Sequence, residues 1–100
     1  MDADREALRA QVKAALEVLK QRAPGRAVEV RIPPFAAVQV VEGHTHRRGT
    51  PAAVVEMDAQ TWLALAHGTL AWADAVADGR VRASGERSDL SGYLPLFTAS

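Results

Sequence analysis

The stretch Ala27–Glu42, AVEVRIPPFAAVQVVE, sets the architecture of this chain. Val28, Val30 and Ile32 alternate with Glu29 and Arg31, which puts the apolar residues on one face of a strand and the charges on the other. Pro33-Pro34-Phe35 interrupts the run, and two consecutive prolines offer no N–H to a ladder, so the chain turns there. Ala36 to Glu42 reads as a second strand, with Val38 and Val40 on one face and Ala37, Gln39 and Val41 on the other. A hairpin is expected, with one apolar face in need of cover.

The cover precedes it. Residues 3–22 carry Leu8, Val12, Ala15, Leu16 and Leu19 at helical spacing, with Arg5, Arg9, Lys13, Glu17 and Lys20 mostly off that stripe. Asp2 or Asp4 is placed to cap the helix, and Pro24-Gly25 ends it. Downstream, Gly43 to Pro51 is a polar loop and Ala52 to Met57 a third strand. Asp58 is placed as the N-cap of a helix through Thr61-Trp62-Leu63-Ala64-Leu65-Ala66, with Gly68 as its C′ residue. A short helix over 71–78, a fourth strand over Arg80–Ser84 and a short final helix through Leu90 and Leu94, capped by Ser88 or Asp89, complete the order α-βββ-αα-β-α. Strands and helices in runs favour an α+β fold: a mostly antiparallel sheet of four to five strands with helices packed on one face, as a single domain over 1–100.

Composition narrows the function. The chain has 100 residues, 12 Lys+Arg against 12 Asp+Glu, and no Cys. Charge balance argues against a nucleic-acid partner and against a polybasic membrane surface. Without Cys there is no disulfide scaffold, thiolate nucleophile or Cys-ligated metal. No apolar run approaches a membrane span, and MDADREAL is too charged for a signal peptide, so a cytoplasmic location is expected, with at most transient membrane contact. Of the 48 hydrophobic residues 20 are Ala, so the core is lean and each large side chain counts.

Asp58 to Phe97, DAQTWLALAHGTLAWADAVADGRVRASGERSDLSGYLPLF, resembles the C-terminal half of the sterol carrier protein 2 (SCP2-like) domain. The resemblance rests on an ordered set. It comprises the acidic residue opening a helix, Trp62-Leu63-x-Leu65-x-x-Gly68, a short helix with Ala75 and Val76, the Gly79–Gly85 strand segment, and Asp89-Leu90 through Leu94. The whole chain is similar to short bacterial sterol carrier family proteins. The resemblance implies a helix-covered sheet of five strands with an apolar ligand site between sheet and helices, and a non-enzymatic role in binding or carrying lipid-like molecules. The N-terminal half is shorter than in the usual domain.

The candidate site residues follow. The sheet wall would come from Val28, Val30, Val38 or Val40, and Val81. The helix wall would come from Trp62, Leu65, Trp72 and Val76, which are also what a core needs. Arg47 and Arg48, with His46, are the first candidates to hold an acidic head group, because guanidinium binds such anions bidentately. Their ordinary reading is a solvated loop. His44 and His46, with Glu42 or Glu56, place metal-ligand types near one another, but a third ligand at fixed spacing is absent, so no metal or cofactor is expected. Ser84, Ser88, Ser91 and His67 form no Gly-x-Ser-x-Gly elbow, and no enzyme activity is expected. The leading expectation is therefore an apolar small-molecule carrier. The alternative is a ligand-free accessory module whose apolar face pairs with a partner enzyme or, as a homodimer, with a second copy.

Overall fold

The computed structural model describes residues 2–43, 53–85 and 87–97. Its elements are α1 (Asp2–Arg22), β1 (Val28–Ile32), β2 (Ala36–Val40), β3 (Ala53–Glu56), α2 (Ala59–His67), α3 (Trp72–Ala77) and β4 (Arg82–Ser84), followed by a 3-10 turn (Ser91–Tyr93). The architecture is α+β, as the run of elements implies. Among the described residues no helix is long and apolar enough to cross a membrane.

The strands lie in the order β2-β1-β3-β4. β1 and β2 form the expected hairpin, in the register Val28↔Val40, Val30↔Val38 and Ile32↔Ala36, and the Phe35 N–H donates to the Ile32 carbonyl across the turn. β3 runs parallel to β1, and β4 is antiparallel to β3. The sheet is thus mixed: two pairings are antiparallel and the central one is parallel. The reason is spatial. β2 occupies one flank of β1, so β3 takes the other flank after the chain has returned to the starting end of the sheet.

Register fixes the faces. Val28, Val30, Ile32, Val40, Ala53 and Val55 point inward and are buried, whereas Arg31, Ala37, Gln39, Arg82 and Ser84 lie exposed on the outer face. Outer-face ion pairs, Arg31–Glu29 and Arg82–Glu56 at 2.7 Å each, are solvent-exposed and contribute little. α1 packs on β2 and α2 and buries Val12, Ala15, Leu16 and Leu19, the expected stripe. Trp62 of α2 is fully buried, and its Nε1–H donates to the Val12 carbonyl of α1 at 3.3 Å.

The ends of α2 follow the residues placed there. The Thr61 N–H donates to Asp58 Oδ1 at 2.7 Å, and Gly68 closes the helix in the left-handed conformation at φ 81°. Asp58→Ala should cost about 1 kcal/mol, the usual value of such a cap, read as a lower urea midpoint with unchanged slope.

The final helix is shorter than the sequence implies. Asp89 does act at its start, with Oδ1 accepting from the Ser91 N–H at 2.9 Å. That backbone bond, and then the Ser91 hydroxyl, hold the Asp89 carboxyl below the ordinary carboxylate range. The coil then makes only the 3-10 turn Ser91–Tyr93. Gly92 weakens a helix, and Pro95 drives Leu94 to extended backbone at ψ 147°.

One crossing ties the two ends of the N-terminal half together. The Val41 N–H donates to the Ala23 carbonyl at 2.6 Å, and the Ala27 N–H donates to the Val41 carbonyl at 2.9 Å. Val41 is buried at φ 68°, which a β-branched residue rarely adopts. Gly25 passes against it at φ 145°, where a Cβ would fall on the Val41 carbonyl.

Candidate functional site

α2 ends at His67, and the left-handed turn at Gly68 sends the chain back through Leu70 and Ala71 into α3. The bend opens a groove. One wall is Leu65, Gly68, Leu70, Ala71, Trp72 and Ala73; the other is Ser91, Leu94 and Pro95 from the C-terminal segment. Its volume is about 390 Å³, within the ~300–1,000 Å³ of small-molecule pockets. Leu65 is buried, Leu70, Trp72 and Leu94 are half-buried, and the polar side-chain groups in the lining are the Ser91 hydroxyl and the Trp72 indole N–H. Such a surface offers dispersion and apolar burial, an indole face for a flat group, and one hydroxyl for orientation.

Two other concavities have a different chemistry. One, of about 520 Å³, lies at the end of the sheet between Glu56, Asp58, Arg80 and Arg82. The other, of about 320 Å³, lies between Asp2, Arg5, Glu6 and Arg9 of α1 and the Pro34-Phe35 turn, with the Arg5 guanidinium 5.6 Å from the centre of the Phe35 ring. Charged side chains dominate both, so neither suits an apolar ligand, although the first is the larger.

Of the residues singled out in the sequence, Leu65 and Trp72 meet in the groove. Val76 stands one turn beyond Trp72 on α3, and at 42% it is the one large hydrophobic exposed among the described residues. Trp62, Val40 and Val81 are buried in the core, and Val38 is half-buried on the inner face of the sheet. The groove thus lies between two helices and the C-terminal segment, with no strand residue in its lining. Arg47, Arg48, His44 and His46 lie outside the described residues.

Gly68, Ser91, Leu94 and Pro95 also line the groove, and nothing in the sequence pattern marks them as wall residues. Gly68 was legible as a helix end but not as a point of close approach; a Cβ there would press on the Pro95 ring at 3.2 Å. Among the described residues no group of His, Cys, Asp and Glu could hold a metal ion. The His67 and Phe97 rings meet at a tilt of 36°, with centres 5.0 Å apart.

The match to a family model describing the bacterial SCP ortholog runs over residues 4–96, nearly the whole chain. The chain belongs to that family. Among curated proteins, none matches the sequence. Membership in it points to a carrier-type role, and the groove is the one apolar concavity described above.

Proposed function

We propose that the protein binds a lipid-like or other apolar small molecule reversibly in the groove between α2, α3 and the C-terminal segment, as a non-enzymatic carrier in the cytoplasm. The observation that carries this reading is the pairing of Leu65 with a half-buried Trp72 in an open groove lined mostly by apolar groups. Burial of a ligand there would draw on about 25 cal/mol per Å² of apolar area, and release needs no charged latch in the lining.

The test uses the neutral dye N-phenyl-1-naphthylamine. Ala73 is exposed and lines the groove, so Ala73→Arg introduces a charge without entering the core. Dye affinity should fall by about tenfold or more, the effect of one lost apolar contact of ~1.4 kcal/mol, with an unchanged thermal midpoint. Arg9→Ala, on α1, should leave binding as it was. Equal dye affinity in a folded Ala73→Arg protein would remove the site from this groove. Leu65→Arg should abolish binding too, but Leu65 is buried, so that variant is interpretable only with its stability measured alongside.

Native mass spectrometry of the purified protein addresses the ligand itself. A released lipid would name its class. A bare dimer would favour the accessory-module reading, with the exposed Val76 and the groove covered by a second copy.

A further inference from the structure

The C-terminal segment 94–97 makes its hydrogen bonds to α2 through its own backbone N–H groups. The Leu96 and Phe97 N–H groups both donate to the Ala66 carbonyl of α2, at 2.8 and 3.0 Å. The carbonyls of the same segment turn the other way, toward the last turn of α1. There the Arg22 guanidinium donates to Leu96 O through Nη2 at 2.6 Å and to Pro95 O through Nη1 at 3.4 Å. Arg22 makes no ion pair among the described residues, so its fork is given over to these two carbonyls. A charged donor on a neutral carbonyl is stronger than an amide donor, and the planar fork fixes direction as well as distance.

Leu94 and Pro95 are also a wall of the groove. Between the buried Leu90 and Leu96, the intervening residues 91–95 are exposed or half-buried. The wall therefore has two apolar anchors and, at its far end, one charged clamp that comes from a different element.

We propose that Arg22 is the positioning residue of the groove: its guanidinium holds the 94–97 segment against α2, and so sets the separation of Pro95 and Leu94 from Trp72. Its importance for ligand exchange rests on the binding reading above; its control of the wall does not. Loss of the fork frees two carbonyls and leaves the shared Ala66 carbonyl as the only backbone tie of the segment's end among the described residues.

Two measurements without ligand decide this. The first is amide exchange of Leu96 and Phe97 in Arg22→Ala. These should exchange about tenfold faster or more, a local opening, while Leu16 and Leu19 within α1 keep their rates. The second uses Trp62→Phe, which leaves Trp72 as the single tryptophan. Acrylamide quenching of Trp72 should rise on adding Arg22→Ala and fall part of the way back with Arg22→Lys, since an ammonium keeps the charge but not the planar fork. Unchanged exchange at Leu96 and Phe97 and unchanged quenching would overturn the proposal. So would equal acceleration at Leu16, Leu19, Leu96 and Phe97, which would make Arg22 a contributor to overall stability only. Where Arg22→Ala does not fold, Arg22→Gln gives the same comparison. Dye release, followed by stopped flow, should then be faster in Arg22→Ala. A wild-type protein that takes up no dye would defeat the binding reading, with the exchange and quenching data still deciding the role of Arg22.

Discussion

Trp62→Ala is expected to cost about 3–5 kcal/mol, a large share of the ~5–15 kcal/mol that stabilises an ordinary domain. Trp62 is the largest side chain buried with no exposure, and it joins α1 to α2 through its Nε1–H and the Val12 carbonyl. Its neighbours cannot readily close the gap. Twenty of the 48 hydrophobic residues are Ala, and Ala15, Ala59, Ala66 and Ala75 are buried in the same cluster, with no rotamers to swing into a void. Trp62→Phe separates ring from hydrogen bond and should cost less, about 1 kcal/mol for the bond plus the smaller ring volume. Urea unfolding followed by circular dichroism reads both. A loss under about 1 kcal/mol in Trp62→Ala would mean that the helices do not share one core with the sheet.

The second large effect belongs to a position with almost no side chain. Gly25→Ala should destabilise by about 3 kcal/mol or more, because a left-handed backbone and a backbone collision act together. Its φ is 145°, and a Cβ would meet the carbonyl of Val41 and the amide of Glu42. Val41 cannot retreat cheaply, since its N–H and C=O bind Ala23 and Ala27 at 2.6 and 2.9 Å. Gly79→Ala makes a good contrast. It also has positive φ, 77°, but a Cβ there meets nothing within 4 Å, so only the conformational cost remains. The difference between the two variants in thermal midpoint isolates the collision at the crossing. Equal losses would show that conformational preference alone governs both sites.

Much of the fold was readable in the chain because periodicity reports faces. The Leu8–Leu19 stripe, the alternation of Val28, Val30 and Ile32, and the signals at Asp58 and Gly68 correspond to α1, β1 and both ends of α2. Alternation does not report neighbours, and the parallel pairing of β1 with β3 was accordingly invisible. The groove was half legible. Leu65 and Trp72 stand out as large apolar residues on consecutive helices, but the opposing wall comes from Leu94 and Pro95, which read as the end of a helix. Inward-pointing residues such as Val40 and Val81, both buried in the core, look the same in sequence whether they line a cavity or pack against neighbours. Arg22 looks like any cation in a last helical turn, and its partner carbonyl lies 74 residues away.

The central parallel pairing has a further consequence. Everything before residue 44, α1 with the hairpin, meets everything after residue 52 through β1–β3, α1–α2 and the Arg22 clamp. The only covalent connection between these halves is the segment 44–52. A chain cut there would yield two fragments that each lack half of one core. Their reassembly would follow mass action, folded only above a concentration set by the same contacts that stabilise the intact chain. Such a pair would report its own association, since Trp62 in one fragment becomes buried when the Val12 carbonyl of the other arrives.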